Sequence, residues 1–126
     1  ANNGIVVGTG NKVEDFGVGF YTKYGDGGVD ILPIADCTKT EVWQLGKELG
    51  RLDEIITAQP TDGLWDDGRT DEQQLGVTYD ELEWAMNNID NQEINLSEKQ
   101  KDILSIYKKF RNSNLHKMTS IPIFKK

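Results

Sequence analysis

Two glycine-rich segments are the parts of this sequence that best fit ligand chemistry. Gly8-Thr9-Gly10 follows a short apolar run, and residues 23–28 read Lys-Tyr-Gly-Asp-Gly-Gly, with Asp30 just beyond. Backbone without Cβ atoms lets a ligand approach closely, and loops at the carboxyl ends of parallel strands often bind nucleotides. Each segment on its own also fits a tight turn or a plain connection, so both are candidates at this point.

Lys39 is a third candidate because of its position in a predicted helix. Residues 38–41, Thr-Lys-Thr-Glu, have the spacing of a capping box, which places Lys39 at the first helical position. A cation there opposes the helix dipole at a cost of about 0.3–1 kcal/mol. An exposed helix tolerates that cost, and an anionic ligand at the same helix end offsets it.

Composition restricts the classes of function. The 126 residues are 37% hydrophobic and 28% charged, which is the balance of one folded domain. No apolar run approaches the roughly 20 residues that span a bilayer, so no membrane partner is expected. The net charge of −7 argues against nucleic acid, because phosphate backbones select basic surfaces. The acidic stretch 62–93 and the lysine-rich stretch 99–126 are interpreted as solvated faces, although the second could also help to hold an anion.

The cysteine content bears on the cellular compartment of the protein, and the first residues bear on whether the chain is a fragment. Cys37 is the one cysteine, which rules out an internal disulfide and fits a reducing compartment, so a cytoplasmic protein is expected. In its apolar context Cys37 is interpreted as core filler and not as a nucleophile. The chain opens at Ala1 without an initiator methionine, so a fragment or a cleaved product is expected.

The elements that must position these candidates begin with strand-like runs. Residues 5–7 are predicted to be a buried parallel strand that enters the Gly8-Thr9-Gly10 loop, and residues 11–14 have the spacing of a second capping box. Residues 29–34 are a further apolar run, in which Pro33 argues against a long central strand. Two short strands cannot form an adequate sheet alone, so the rest of the sheet is expected from another segment.

Helices are predicted over the remaining sequence. A helix with Val42, Leu45 and Leu49 on one face follows the capping box at Thr38 and stops at Gly50. The other predicted elements are a short helix over 52–58, an ordered loop over 61–69, a capped helix from 78 to 86, and the longest helix over 97–112 with an apolar stripe of Ile103, Ile106, Tyr107 and Phe110. Early strands and later helices indicate an α/β layer fold, and the tryptophans are interpreted as core or interface residues: Trp43, Trp65 and Trp84.

Several of these segments together resemble the second half of NAD synthetases. The matching segments are residues 6–14 (VVGTGNKVE), 20–30 (FYTKYGDGGVD), 33–39 (PIADCTK), 60–65 (PTDGLW), 70–72 (TDE), 75–80 (LGVTYD) and His116-Lys117 before Pro122. The form is closer to the short ammonia-dependent enzymes than to the longer type with a glutaminase domain. The resemblance implies that residues 1–126 are the C-terminal portion of a single domain with a doubly wound parallel sheet, the adenine nucleotide alpha hydrolase-like (N-type ATP pyrophosphatase) fold, and a helical C-terminal portion.

The resemblance also implies an activity. Members of this family use ATP to adenylate the nicotinate carboxylate of deamido-NAD, and ammonia then displaces AMP to give NAD. Magnesium offsets the charge of the triphosphate as pyrophosphate leaves. A homodimer is expected for the full-length enzyme.

Residue by residue, the resemblance assigns two binding sets and one metal ligand. Thr9, Lys39 and Thr61 would contact ATP, and Glu14 would bind Mg²⁺, although a capping role alone would also explain Glu14. The deamido-NAD set would be Lys23, Asp30, His116 and Lys117, of which His116 on its own would be interpreted as solvated surface. The stretch from Glu14 to Lys23 is one residue longer than in many relatives, which leaves the helix register between them open.

One departure from the family pattern concerns activity. The pyrophosphate-binding loop Ser-Gly-Gly-x-Asp-Ser, with its second magnesium carboxylate, does not occur in the 126 residues, so the isolated chain is predicted to be inactive. Two other functions remain open: an ATP pyrophosphatase with another substrate, such as a GMP synthetase, and a non-catalytic nucleotide-binding or assembly module of the same fold.

Overall fold

The chain is described by a computed structural model over residues 3–91 and 95–126. Within those ranges it forms one π-helix, Lys12–Val18, and five α-helices. The α-helices are α1 (Lys39–Glu48), α2 (Asp53–Ile56), α3 (Asp71–Leu75), α4 (Tyr79–Asn88) and α5 (Glu98–Met118). None of these helices has the length and apolar content needed to cross a membrane.

The two apolar runs near the N-terminus meet without forming a sheet. Val7 and Ile31 make an isolated bridge in the predicted parallel direction, and the Gly8 N–H donates to the Ile31 carbonyl at 2.8 Å. The predicted burial is wrong, since Val6 and Val7 are 56% and 53% exposed. A parallel sheet needs further strands beside it and helices on both faces. The described residues contain no such strands, so the expected doubly wound sheet is not formed within them.

The π-helix begins at a side-chain cap. Asn11 Oδ1 accepts hydrogen bonds from the N–H groups of Val13 (2.9 Å) and Glu14 (3.0 Å), as the predicted cap requires. The other half of the predicted capping box is wrong, because the Glu14 carboxylate binds more distant partners. A π-helix has wider turns than an α-helix. The helix register that the sequence left open between Glu14 and Lys23 is therefore that of a π-helix, which ends at Gly19, where φ is 66°.

The core lies between the π-helix, α4 and α5. Tyr79 and Leu82 of α4 and Tyr107 of α5 are almost completely buried, and Val13 and Val18 of the π-helix pack in the same cluster. The predicted stripe of α5 is confirmed: Ile103 and Tyr107 are buried, and Ile106 and Phe110 pack against the cluster. Burying each such side chain contributes roughly 1.5–3 kcal/mol.

Polar contacts join α5 to the C-terminal end of the π-helix. Arg111 donates to the carbonyls of Phe16 (2.6 Å) and Gly17 (3.0 Å), and Asn114 donates to the Val18 carbonyl at 2.9 Å. The last carbonyls of a helix have no partner inside it. These two side chains therefore satisfy carbonyls that the π-helix leaves unpaired, and they fix its direction relative to α5.

Most predicted helix starts are confirmed, because N-terminal capping is a local property. Reciprocal capping boxes occur at Thr38, Thr78 and Ser97, each at the start of a predicted helix. α5 extends beyond the predicted end at residue 112, and α2 is shorter than predicted. Sequence reasoning missed α3, although Thr70 and Gln73 form a capping box of the same kind.

Three side-chain predictions have different outcomes. Trp43 and Trp84 pack against the core, as predicted. Trp65 does not belong to the core: it is 51% exposed, and the Arg69 guanidinium lies 4.3 Å from its ring centre. Cys37 is a free thiol and only half-buried, so the core-filler interpretation is only partly correct. Leu49, on the predicted apolar face of α1, is exposed in this chain.

Candidate functional site

Separate segments converge on one cavity of about 480 Å³. They include the loop after Val7, the π-helix and the loop that follows it, the N-terminus of α1, the loop that begins at Pro60 and the first residue of α3. The cavity, called the Glu14–Lys39 cavity below, is lined by Thr9, Gly10, Glu14, Asp15, Phe20, Asp26, Ile34, Lys39, Val42, Pro60, Thr61, Asp62 and Asp71. It contains all four residues that the sequence assigned to ATP or to metal: Thr9, Glu14, Lys39 and Thr61.

An ion pair lies at the centre of this lining. Lys39 Nζ is 2.9 Å from Glu14 Oε1, and both side chains are only 16% exposed. Lys39 occupies the first position of α1, as predicted, with Thr38 as the cap. The carboxylate therefore provides the negative partner that a lysine at a helix N-terminus requires.

Tyr79 connects the ion pair to a second carboxylate. Its hydroxyl lies in short hydrogen-bond contact with Glu14 Oε1 and 3.1 Å from Asp71 Oδ2. Lys39 Nζ lies 4.9 Å from the centre of the Tyr79 ring, a cation–π distance. Burial and the two carboxylates raise the pKa of Tyr79 far above its usual range, so the phenol keeps its proton and acts as a donor.

Asp71 is a lining residue with one buried, unpaired carboxylate oxygen among the described residues. It is 7% exposed, and its Oδ1 atom is buried without a hydrogen-bond partner among the described residues. Burial is the main cause that raises the pKa of Asp71. Sequence reasoning gave this residue no role, although the capping box at Thr70 would have placed Asp71 at the first position of a short helix.

Asp15 is a second acidic residue that sequence reasoning missed. It follows Glu14 in the π-helix, is 6% exposed, and lines the same cavity. Burial, followed by the charges of Glu14 and Asp26, raises its pKa to about 6. Its carboxylate fills the space in front of Gly10, since a Cβ built on Gly10 would lie 1.8 Å from Asp15 Oδ2. Gly10 is thus required for close approach of this carboxylate.

The carboxylates of this cavity fit a hard cation that takes most of its ligands from water and phosphate. No group of three or more acidic, histidine or cysteine side chains within residues 3–91 and 95–126 is arranged to enclose a metal ion. Mg²⁺ commonly binds one or two carboxylates and completes its octahedron with water and phosphate oxygens. Glu14 and the unpaired Oδ1 of Asp71 are carboxylate oxygens of the required chemistry in one cavity.

Lys23, His116 and Lys117 meet at a second cavity, of about 580 Å³. Lys23 Nζ donates to the His116 carbonyl at 2.6 Å, which joins the glycine-rich loop to the last turn of α5. Lys117 Nζ donates to the carbonyls of Gly19 (2.9 Å) and Tyr21 (2.7 Å). The structure thus brings together three of the four residues assigned to deamido-NAD. Both lysines of this set, Lys23 and Lys117, already donate to backbone carbonyls.

Asp30 is the fourth residue of that set and lies apart from the other three. Its Oδ2 accepts a hydrogen bond from the Val6 N–H at 2.7 Å, and it does not line either of these two cavities. The contact lies beside the Val7–Ile31 bridge. In this chain Asp30 therefore stabilises the pairing of the two apolar runs.

A third cavity, of about 300 Å³, lies between the first two. It shares Phe20, Asp26 and Asp62 with the Glu14–Lys39 cavity, and Tyr21, Thr22 and Lys117 with the second cavity. The three cavities are therefore neighbours along one side of the π-helix and the loop after it.

Comparison with known proteins gives a consistent family match. The family model described as NAD synthase matches residues 1–121. The NH(3)-dependent NAD(+) synthetase of Methanosarcina acetivorans is 57% identical over 77 residues, which are 61% of this chain and 29% of that protein. The NH(3)-dependent NAD(+) synthetase of Methanococcoides burtonii is 46% identical over 122 residues, covering 92% of this chain and 45% of that protein.

A solved structure gives the same result at the level of the fold. An NMN synthetase from Francisella tularensis superposes with a TM-score of 0.81 at 35% identity, covering 98% of this chain and 48% of that one. The chain thus spans less than half the length of these relatives.

Proposed function

The chain belongs to the NAD synthase family, and from that premise we propose that it supplies one part of the active site of an ATP-dependent ligase. The reaction is the amidation of deamido-NAD to NAD with ammonia. ATP and Mg²⁺ bind in the Glu14–Lys39 cavity, and the nicotinate dinucleotide binds in the second cavity. The pyrophosphate loop, whose sequence is not found among these 126 residues, is contributed by another segment.

The observation that best supports this proposal is the convergence at the first cavity. Thr9, Glu14, Lys39 and Thr61 are up to 52 positions apart in sequence (61 − 9), yet all four line one space. A cation at a helix N-terminus and a carboxylate beside it match the two charges of a metal–nucleotide complex. Lys39 then binds phosphate oxygens, Glu14 is a ligand of the metal, and Thr9 and Thr61 donate to the nucleotide from loops.

The chemistry requires the two substrates to meet. A carboxylate is a poor electrophile at neutral pH, so the nicotinate carboxylate oxygen first bonds to the α-phosphorus of ATP and pyrophosphate leaves. Ammonia then forms the C–N bond at the carbonyl carbon, AMP leaves with the former carboxylate oxygen, and the nitrogen loses a proton. Mg²⁺, when bound, neutralises phosphate charge as pyrophosphate departs. The third cavity lies where these two reacting groups have to approach each other.

The second cavity fits the anionic end of a dinucleotide. Lys23 and Lys117 both line this cavity, with Lys23 Nζ 5.8 Å from the Tyr24 ring centre and Lys117 Nζ 5.6 Å from the Tyr21 ring centre. Lysine binds phosphate as a point charge, and an aromatic face can pack against a nucleobase or a nicotinate ring. His116 closes this side from the last turn of α5.

Fragment complementation tests the proposal. The chain is incubated with ATP, Mg²⁺, ammonia and deamido-NAD, alone and together with the N-terminal part of the Methanococcoides burtonii relative, and NAD is quantified. We expect no NAD from the chain alone and NAD from the mixture. Lys39→Met abolishes the product, whereas Lys47→Met, at the exposed end of the same helix, does not. Normal turnover by the chain alone would contradict the proposal that the active site is divided between this chain and another segment. ATP binding by the mixture without amide product would identify a non-catalytic module.

The likeness to an NMN synthetase supports a second candidate, in which the amide product is NMN. The same assay with nicotinate mononucleotide in place of deamido-NAD separates the two. A higher kcat/KM for the mononucleotide would assign that substrate and leave the role of the Glu14–Lys39 cavity unchanged.

A further inference from the structure

Three interactions meet at Tyr79. Its hydroxyl contacts Glu14 Oε1 and Asp71 Oδ2, and its ring lies beneath the ammonium group of Lys39. We propose that Tyr79 is a positioning residue that holds the Glu14 carboxylate and the Lys39 ammonium in place for metal–nucleotide binding. The ligand roles of these two residues rest on the proposed function above, but their placement by Tyr79 does not.

Tyr79 is itself rigidly held. It is the first residue of α4, its side chain is 1% exposed, and its backbone N–H donates to Glu72 Oε1 at 2.8 Å. The Trp43 ring packs edge-on against it, with ring centres 6.2 Å apart. A side chain fixed in the core holds its hydroxyl in one place, so the phenol acts as a fixed donor to the Glu14 carboxylate.

The placement matters because the Glu14–Lys39 pair has to separate for its proposed roles. In the structure the two charges neutralise each other at 2.9 Å. A metal ion must replace Lys39 at Glu14, and a phosphate must replace Glu14 at Lys39. A carboxylate that loses its lysine partner in a mostly buried position needs another donor to keep its orientation. The Tyr79 hydroxyl can keep donating to Glu14 when the ligands bind, since the Tyr79 side chain is held in the protein core.

The Tyr79 ring has the corresponding effect on Lys39. An ammonium group over an aromatic face is attracted by the ring quadrupole, with more strength when it is shielded from water. The Lys39 side chain therefore keeps a favourable contact when Glu14 turns to a metal ion. The substitution Tyr79→Phe would keep this contact and the Trp43 packing, and would remove only the hydroxyl.

A ligand-free measurement tests the positioning directly. The coupling between Glu14 and Lys39 is obtained from a double-mutant cycle in urea unfolding, using Glu14→Gln, Lys39→Met and the double variant. The cycle is repeated in a Tyr79→Phe background, and we expect the coupling energy to fall by about half, because Glu14 loses its fixed donor. Tyr107→Phe is the matched control, since Tyr107 is equally buried in the same core but its hydroxyl interacts with Arg111 of α5. Equal coupling in the wild-type and Tyr79→Phe backgrounds overturns the proposal.

A second measurement concerns the ligands themselves. The Mg²⁺ concentration that half-saturates nucleotide binding is measured with ATP, on the chain mixed with its complementing segment. For Tyr79→Phe we expect it to rise about tenfold, the effect of one lost hydrogen bond to a charged group, while Tyr107→Phe leaves it unchanged. Wild-type chain that binds no Mg·ATP contradicts the proposed function, and the unfolding cycle still decides the role of Tyr79. Binding with the same Mg²⁺ requirement in wild type and Tyr79→Phe contradicts the positioning role alone.

Discussion

Lys39 Nζ lies 2.9 Å from Glu14 Oε1, and both side chains are largely shielded from water. The group proposed to bind phosphate and the group proposed to bind metal therefore neutralise each other. This pairing avoids two unpaired charges in a mostly buried position, each of which would be costly. It also couples the two ligands, because each one competes with the partner of the other.

That competition predicts opposite effects of removing either partner. In Lys39→Met, we expect Mg²⁺ alone to bind about tenfold more tightly, because its competitor at Glu14 is gone, and ATP to bind more weakly. In Glu14→Gln, we expect metal-free ATP to bind more tightly and Mg²⁺ more weakly. Isothermal titration with each ligand separately measures all four changes. If both ligands weaken in both variants, the pair does not compete with them.

A link between α1 and α4 is expected to stabilise the position of Lys39. Glu83 of α4 accepts from the Thr40 N–H at 2.9 Å and from the Thr40 hydroxyl at 2.7 Å, at the N-terminus of α1. A partly buried carboxylate at a helix N-terminus contributes about 1–2 kcal/mol. We expect Glu83→Ala to lower the free energy of unfolding by that amount.

The matched control for that prediction is Glu98→Ala. Glu98 pairs with Lys101 at 2.7 Å, but its side chain is 87% exposed. Surface pairs of this kind contribute very little. Equal losses for the two variants in urea denaturation would show that the contact between α1 and α4 has no special importance.

Gly19 is expected to be far less replaceable than Gly76, although both have positive φ angles. Gly19 has a φ of 66°, and a Cβ there would lie 2.5 Å from the Asn114 Cβ of α5. Gly76 has a φ of 77°, and beyond its chain neighbours no atom of the described residues lies within 4 Å of the point that a Cβ would occupy. Backbone strain costs about 1–2 kcal/mol at either site, and overpacking adds about 1–3 kcal/mol at Gly19 alone.

The two alanine variants separate these effects in thermal or urea unfolding. Gly76→Ala measures the strain, and the further loss in Gly19→Ala measures the close packing of the π-helix on α5. Similar losses in the two variants would mean that α5 moves away from Gly19 at little cost.

The raised pKa of Asp15 predicts a pH dependence of stability. Its usual pKa is 3.8 and its pKa in the fold is about 6, so the folded chain binds more protons between these values. This contribution to stability is therefore complete below about pH 4 and is lost as the pH rises through 6. Asp15→Asn, which mimics the neutral acid, removes that loss. Above pH 7 the variant is expected to be more stable than wild type by on the order of 2 kcal/mol.

Urea unfolding from pH 4 to 8 checks this prediction through the difference between wild type and Asp15→Asn. The difference isolates Asp15 from other acids with raised pKa values, such as Asp71. A difference that stays constant across the range would mean that Asp15 has an ordinary pKa in the folded chain.

The sequence by itself determined the features that depend on neighbours three or four residues away. The caps at Asn11, Thr38 and Ser97 are local hydrogen bonds, and the α5 stripe of Ile103 and Tyr107 follows from the helical period. The family motifs also predicted a set of residues that the fold brings together, including Glu14 and Lys39. These features can be predicted without knowing which helices and loops pack against each other.

Only the tertiary structure decided which groups meet across long separations. Tyr79 contacts Glu14 from 65 positions away, and Asp71 reaches the same cavity with one oxygen unpaired. The exposure of Val6 and Val7, which the sequence suggested to be buried, depends on whether another layer covers them. Burial and charge pairing are properties of the assembled surroundings of a side chain, whereas a cap or an apolar stripe is a property of one segment.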